Sequence, residues 1–585
     1  MDINEYGPVT AISKEVHATK YRGENETFYD YACRVSAALA DSEEHRASLK
    51  ETLLDQRFLP GGRIQAGAGS PKKVTLFNCF LSPKIEDNSE SIMNAVKDSF
   101  MTLRTGGGIG YDFSGIRYKG ARINSLDSSA SGPLSFMDIF DATCKAVMSA
   151  GHRRGAQMAA LRCDHPDIEA FVRSKQNETR FRNFNISVGV TDKFMQAVVN
   201  KEPFDLVFDG KVISQVDAYA LWEEIMRSTY DYAEPGILFL DTINNNNNLW
   251  YAEELVSSNP CGEVPLGYNG TCLLGSLNLV KYITRNAYKS YDGTTGYHFN
   301  VHKFSKDIFT AVRALDRVID ISMFPLEAQK IEAQNKRRMG LGITGLANCL
   351  EIMGMKYGDE ESLIATKAIM TVLRNTAYAA SIELAKEKGS FPLFDVEKFL
   401  ASEFVQGLPL HLQEDIRKYG IRNSHLISIA PTGTISLTAD NVSSGIEPPF
   451  QLEYTRYMQL GPDEGKTEVV KDFAWNFYGV KGRTANEISA KEHVDMLTTV
   501  AKYVDQAVSK TCNVGPEVSW DEFKDIYMQA WKGKAKGVTT FREVGKRFGV
   551  LRSLPPDAAP VESDVEEGGG ACTIDLVTGI RSCSD

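Results

Sequence analysis

The sequence lacks any apolar run near the ~18 residues that span a bilayer. Its first twenty residues, with Glu5, Lys14, Glu15 and Lys20, have no signal-peptide core. From these we expect a cytoplasmic protein with no membrane contact. Basic charge is also scarce: 65 Lys and Arg against 76 Asp and Glu give a formal net charge of −11, the wrong sign for broad contact with nucleic acid. A small polyanion is not excluded, because clustered amides and arginines bind phosphate inside acidic proteins. Ten cysteines in 585 residues are too sparse for a disulfide scaffold. The glycine run at 106–110 is followed by no GK[ST] and lacks GxGxxG spacing, which removes the Walker A and dinucleotide loops. His298 and His302 have the spacing of a helical metal pair but no acidic third ligand, so no metal site is expected.

What is present is an ordinary globular chain, 43% hydrophobic and 24% charged. Its length calls for several domains or one large α/β barrel with additions. Residues 1–75 read as helical, with one helix over 26–40 and a second running toward Pro60. A short buried strand is expected in TLFNCFLS (75–82), and further strands in RFRNFNISVGV (180–190), which alternates polar with apolar, and in GILFLD (236–241). The asparagines that follow read as a polar loop. Residues 361–389 form the clearest helix, with Gly389 as its stop. Gly340, Gly342 and Gly345 suit tight packing of a helix on a strand, and Gly106, Gly107, Gly108 and Gly110 permit close approach of a ligand or another element. PTGTIS (431–436) reads as a tight turn entering a helix, a natural phosphate cradle. Residues 555–570 are rich in proline, glycine and acid and read as a mobile tether.

The chemistry concentrates in NPCGEVPL (259–266). If that stretch is extended, Asn259, Cys261 and Glu263 face one space, an amide, a thiol and a carboxylate together. Cys272 follows in CLLGSLNL, Cys79 stands upstream in FNCFLSP, and Cys572 and Cys583 end the tether. Cys33, Cys144, Cys163, Cys349 and Cys512 take the plainer reading of core packing. In order along the chain, Cys79, the glycine run, RRGA, NPCGE, Cys272, GLGITGL, PTGTIS and the terminal cysteine pair make the sequence resemble the ribonucleotide reductase catalytic subunit. It is most similar to the adenosylcobalamin-dependent class II form.

The resemblance implies a ten-stranded α/β barrel over 76–554, a helical region without an ATP cone over 1–75, and a flexible redox-active tail over 555–585. It implies that Cys261 carries a thiyl radical, that Glu263 withdraws the 3′-hydroxyl proton and that Asn259 orients the ribose. Cys79 and Cys272 would supply two electrons, and Cys572 with Cys583 would reduce them and pass the oxidation to thioredoxin or glutaredoxin. Thr432, Gly433, Thr434 and Ser436 would hold the substrate phosphates, and the glycine run would lie near the substrate. Asp127, Ser128, Ser131, Arg153, Arg154 and Gln157 fall in the two specificity loops that join a dNTP or ATP effector to the substrate base. Without the large insertion of monomeric class II enzymes, a homodimer is expected. VTTFRE (538–543) presents Phe541 where class I enzymes carry a relay tyrosine pair, which favours class II; the tail takes the place of a class III glycyl-radical loop. A class I large subunit served by a separate metal-bearing subunit stays the alternative, and a catalytically silent nucleotide-binding regulator is the alternative of another kind.

Overall fold

The computed structural model describes residues 6–124, 127–149, 156–176, 180–286, 296–459, 465–542, 573–575 and 580–582. Five strands, Cys79–Leu81, Gly108–Asp112, Gln157–Arg162, Phe184–Val190 and Gly236–Phe239, lie side by side in that order, each parallel to the next. Helices connect them, among them Ser89–Arg104, Pro133–Ser149 and Ala218–Tyr232, as parallel crossovers require. Next to Gly236–Phe239 the direction reverses: Gly537–Arg542 pairs with it antiparallel and with Thr511–Val514 in parallel. At the other edge the short strand Thr271–Cys272 runs antiparallel to Cys79–Leu81, which completes an eight-stranded sheet.

A second sheet joins Phe58–Pro60, Leu274–Asn278 and Gly340–Thr344, the last two parallel. Single parallel bridges, Leu341 to Ile427 and Ile429 to Val508, run from it toward the first sheet. Side chains replace much of a regular ladder here. The Asp505 carboxylate accepts from the N–H groups of Leu426 and Ile427 at 2.8 and 2.9 Å, and the Gln506 amide donates to the Met339 carbonyl at 2.7 Å. These are α/β sheets of the kind expected, and among the described residues no closed ladder joins them into a complete barrel.

Local chemistry explains the elements. Glu360–Lys388 starts on Asp359, whose carboxylate accepts from the Ser362 N–H at 2.8 Å, carries Glu360 and Glu361 in its first turn and Lys386 and Lys388 in its last, and stops at Gly389 with φ +78°. It packs along Val301–Ile321, whose apolar stripe includes Ile308, Val312, Leu315 and Ile319, all fully buried.

Four expectations change. The helix read toward Pro60 ends at Leu54, because Phe58–Pro60 pairs with Leu274–Asn278 and Gln56 turns the chain with φ +54°. Phe184–Val190 is buried along its whole length rather than on one face, as parallel strands covered on both sides are. The asparagine run opens in the helix Leu240–Asn245. Beyond it Asn248 is fully buried, with its amide on the Tyr378 hydroxyl and the Ser424 carbonyl, both at 2.9 Å. His298 lies on the strand Tyr297–Phe299 and His302 in the helix after it, so they share no helical face. Among the described residues no helix is long and apolar enough to cross a membrane, and no cluster of three metal-ligating side chains occurs.

Candidate active site

The strands Ser257–Ser258 and Pro265–Leu266 pair antiparallel, and residues 259–264 between them form the tip of a hairpin. The extended reading of this stretch is therefore corrected. The Gly262 N–H donates to the Asn259 carbonyl at 3.0 Å, the Asn259 N–H to the Val264 carbonyl at 3.2 Å, and Gly262 adopts φ +81°. Pro260 and Gly262 are the residues that make such a turn.

The hairpin enters where Gly110 leaves room. A Cβ on Gly110 would stand 2.2 Å from the Ser258 carbonyl oxygen. The glycine run thus serves close packing of another element, and from Gly108 onward it is a strand instead of a loop. A Cβ on Gly108 would meet the Cys79 sulfur at 3.3 Å and Pro260 at 3.4 Å, and one on Gly106, at φ +89°, would collide with the Arg63 guanidinium at 2.3 Å; one on Gly107 would strike the Phe80 ring.

Both walls hold the hairpin tip. From Phe184–Val190, Asn185 Nδ2 donates to the Pro260 carbonyl at 2.9 Å. From the opposite side, Ser428 Oγ and the Ala507 N–H donate to the Glu263 carbonyl at 2.9 and 3.0 Å. Sequence reasoning passed over Asn185 and Ser428; a lone asparagine in an otherwise buried strand was the available clue.

A cleft of about 660 Å³, open space at its mouth included, is lined by Cys79, Cys261 and Glu263 on one side and by Ala430, Pro431, Thr432, Gly433 and Ile435 on the other. Cys79 and Cys272 stand directly opposite one another in register, both as free thiols. Such pairs bring Cα atoms to ~5 Å, within the span that a disulfide bridges. Cys272 is 1% exposed and Cys79 7%. Burial pushes the Cys272 thiol well above its usual range, and the neighbouring Cys79, Glu263 and Cys261 add to this. Asn259 is fully buried: its Oδ1 accepts from the Val264 N–H at 2.9 Å and its Nδ2 lies 3.9 Å from the Cys79 sulfur. It holds the turn and touches the thiol pair, and is not among the cleft-lining residues. Asn78, which the sequence reading missed, lines the cleft with a buried Oδ1 that has no protein partner.

Cys261 is half-buried and lines a second cleft as well, of about 350 Å³, together with Ser187, Ser509, Thr539, Gly537 and Lys510. Lys510 is committed to Glu447 at 2.6 Å and to His493 at 3.0 Å.

The cradle is built differently from its expected form. Thr432, at φ +56°, precedes the helix Gly433–Leu437. Its hydroxyl is taken up by Thr344 Oγ1 at 2.9 Å and by the Gly445 N–H at 2.7 Å, and Ser436 Oγ by Ser444 at 2.7 Å and the Gly433 carbonyl at 3.1 Å. These hydroxyls hold the loop, which leaves the first-turn N–H groups of Gly433, Thr434 and Ile435 as the donors that helix starts present.

Gln157 is also corrected. It is fully buried, accepting from the Tyr111 hydroxyl at 2.8 Å and donating to the Phe140 carbonyl, so it packs instead of reading a base. Asp127, Ser128 and Ser131 lie exposed around the short hairpin of Arg122–Ile123 and Ser128–Ser129, with Asp127 paired to Arg122 at 3.1 Å. Arg153, Arg154, Cys572 and Cys583 fall outside the described residues. Cys144, Cys163, Cys349 and Cys512 are fully buried in the core, and burial raises each thiol, to about 12 for Cys144, Cys163 and Cys512.

Parallel strands beside a thiol-tipped hairpin, with an aligned thiol pair next to it, define an α/β protein with three thiols gathered at one cleft. The chain belongs to the ribonucleotide reductase family: the family profile described as "Ribonucleotide reductase, barrel domain" matches residues 77–541. A vitamin B12-dependent ribonucleoside-diphosphate reductase of Mycobacterium tuberculosis (strain CDC 1551 / Oshkosh) is 34% identical over 577 residues, 92% of this chain and 79% of that protein. A protein of the same name from Thermoplasma acidophilum is 34% identical over 548 residues, 88% of this chain and 68% of its own length. A ribonucleoside-diphosphate reductase subunit alpha of Chlamydia pneumoniae is 26% identical over 606 residues, covering 88% of this chain and 56% of that protein.

Proposed function

We propose that this chain reduces ribonucleotides to 2′-deoxyribonucleotides through a radical at Cys261, with adenosylcobalamin as its cofactor and ribonucleoside diphosphates as its substrates, for DNA precursor synthesis. The observation that carries the reading is that Cys261 borders two clefts at once. One side holds a dithiol, a carboxylate and a helix start suited to a sugar phosphate. The other gives a separate group access to the same sulfur.

In this reading the Cys261 sulfur takes the 3′ hydrogen of the ribose and later returns it. Glu263, 1% exposed and two residues away across the turn, receives the 3′-hydroxyl proton, while a thiol of the reductant pair protonates the 2′-hydroxyl, which leaves as water. Cys79 and Cys272 give in all two electrons and two protons, one proton to the departing water and one to the 2′ carbon, and close to a disulfide, and Glu263 returns its proton to the 3′ oxygen. Asn259 holds the turn that sets Cys261 against Glu263, and the N–H groups of Gly433 and Thr434 bind the phosphates.

The second cleft suits the nucleoside part of the cofactor because Ser187, Ser509 and Thr539 offer hydroxyls beside Cys261. The larger ring system would rest outside it. When bound, adenosylcobalamin supplies a carbon radical able to take a thiol hydrogen. Gly537, Val538 and Thr539 of the same strand as Phe541 line this cleft; no tyrosine pair is present there for a partner subunit's radical, which favours the cofactor over the class I alternative.

The described strands support a barrel of two antipodal sets of five: the five parallel strands from Cys79 to Phe239, and Leu274–Asn278, Gly340–Thr344, the bridged segment 427–429, Thr511–Val514 and Gly537–Arg542. We place the catalytic unit at 76–554, the helical region at 1–75 and the redox tail at 555–585. The backbone of Ile580–Ser582 lies within 8 Å, Cα to Cα, of the helix Gly433–Leu437, which suits delivery of electrons by Cys572 and Cys583 from a thioredoxin or glutaredoxin. A homodimer, with a dNTP or ATP effector near Asp127, Ser128, Ser131, Arg153 and Arg154, is supported by exposed Met93, Phe100, Met101 and Ile139 on two adjacent helices. Dithiol chemistry suits a reducing compartment, the cytoplasm.

The test is to assay CDP and CTP separately, with and without adenosylcobalamin. Cofactor-dependent dCDP formation by this chain alone is expected. Turnover only with an added metal-bearing subunit would replace the cofactor reading, and a Cys261→Ser protein as active as the parent would revive the silent regulator.

A further inference from the structure

The two thiols of the reductant pair have unequal surroundings. Cys79 lines the cleft; Cys272 does not, and is 1% exposed. Behind Cys272 lies a closed cluster of four charges: Glu253, Glu332, Lys336 and Arg338. Lys336 Nζ reaches Glu253 at 2.7 Å and Glu332 at 2.9 Å, and Arg338 Nη2 pairs with Glu253. Thr271, the residue before Cys272, faces Glu332 at 3.4 Å.

Arg338 is brought to Cys272 by sheet register. Leu274 pairs in parallel with Gly340, and the Gly340 N–H donates to the Leu273 carbonyl at 2.8 Å; two residues before each of these partners stand Cys272 and Arg338. The guanidinium is 1% exposed, and its Nη1 is buried without a hydrogen bond, 3.8 Å from Glu332. A buried donor of this kind costs stability unless something uses it. Burial raises Glu332 while Lys336 and Arg338 act against this, and Arg338 favours the ionised form of Cys272 against the effect of burial.

We infer that Arg338 is the counter-charge for a Cys272 thiolate, so that the oxidised pair is reopened in a fixed order: an incoming thiol attacks Cys79, and Cys272 is the leaving sulfur. The inference rests on the reading of Cys79 and Cys272 as the reductant pair. An incoming thiolate, its proton lost to solvent, bonds to Cys79 Sγ; the Cys79–Cys272 bond breaks and its electron pair departs on Cys272 Sγ beside Arg338. Cys272 then takes up a proton. A second thiol attacks the incoming sulfur of the mixed disulfide, frees Cys79 as a thiolate that is protonated in turn, and carries away the oxidation as a new disulfide. Two thiols supply the two electrons. Attack on Cys272 is hindered by its burial, whereas Cys79 lines the cleft.

Glutathione serves as the probe. The full-length chain is oxidised with diamide, which does not depend on turnover, then treated with substoichiometric glutathione, acid-quenched and mapped by mass spectrometry. The glutathione adduct is expected on Cys79, with Cys272 free. An adduct on Cys272, equal adducts on both, or no Cys79–Cys272 disulfide after diamide would overturn the inference. The role of Arg338 is read from the rate of adduct formation. Arg338→Lys should stay within about threefold, while the charge-neutral pair Arg338→Gln with Glu253→Gln, which spares the fold an unpaired buried carboxylate, should slow it by about tenfold at unchanged thermal midpoint. An unchanged rate in that folded double variant contradicts the assignment. Failure of deoxyribonucleotide formation would instead strike the proposed function and leave the adduct map standing.

Discussion

The two walls of the cleft work in opposite ways. On the thiol wall the groups proposed to react are side chains, Cys79, Cys261 and Glu263, and it is mainly backbone that is held: Asn185 and Ser428 grip carbonyls of the hairpin tip. On the cradle wall the groups proposed to meet the substrate are backbone N–H, while the side chains, Thr432, Thr344, Ser436 and Asn348, are spent on holding the loop. Substitution at a reacting atom removes the reaction, whereas substitution at a holding side chain loosens a geometry and leaves the chemistry intact.

The largest effect is therefore expected at Cys261. Cys261→Ser should lower kcat by at least about 10⁴-fold, to the assay floor, with nucleotide binding retained by equilibrium dialysis. Glu263→Gln should follow, with kcat down by ~10²–10⁴ and KM changed little. Across the cleft, Thr344→Val removes the hydroxyl that meets Thr432 at 2.9 Å and the Ser443 carbonyl at 3.1 Å. It should raise KM for CDP by about tenfold, ~1–2 kcal/mol, with kcat within about threefold, and Thr344→Ser should restore it. If Thr344→Val lowered kcat as severely as Glu263→Gln, the contrast between the walls would fail.

A smaller effect belongs to the scaffold behind the cradle. Glu351, in the helix after the Thr344 strand, is pushed by burial from 4.5 to about 8. Its folded form thus holds a proton that the unfolded chain releases, so stability falls as pH rises from about 4.5 through about 8 and levels beyond. Glu351→Gln keeps an acceptor for the Arg483 N–H, which now bonds Oε1 at 2.8 Å. It should raise the thermal midpoint at pH 8.5 and match the parent near pH 5; a pH-independent difference would contradict this. The smallest effect is expected at Cys349→Ser or Cys512→Ser, where kcat should stay within about twofold and only stability should fall.

The same contrast explains what the sequence disclosed. Thiols and a carboxylate act by their own chemistry, so Cys79, Cys261, Glu263 and Cys272 stand out by residue type and spacing, and long helices such as Glu360–Lys388 by their caps and periodicity. The fold around NPCGEV was misread because alternate spacing suggests a strand, although Pro260 and Gly262 carry the turn. Thr432, Ser436 and Gln157 look like ligand-binding groups in a sequence, and only tertiary neighbours show that Thr344, Ser444 and Tyr111 have already engaged them. Arg338 looks like any basic residue until register sets it beside Cys272. HLISIA (425–430) reads as a strand, yet it pairs only through single bridges at Ile427 and Ile429, because Asp505 and Gln506, far along the chain, take part of a ladder's place.

The most direct measurement is a single turnover of the pre-reduced Cys572→Ser, Cys583→Ser chain, whose tail cannot reopen an active-site disulfide, with CDP and adenosylcobalamin and without external thiol, counting dCDP per chain and mapping the thiols lost. The account predicts a burst near one dCDP per chain, one new disulfide joining Cys79 to Cys272, and neither in Cys261→Ser. Product formed by Cys261→Ser, or a burst that leaves Cys79 and Cys272 reduced while other cysteines oxidise, would contradict it.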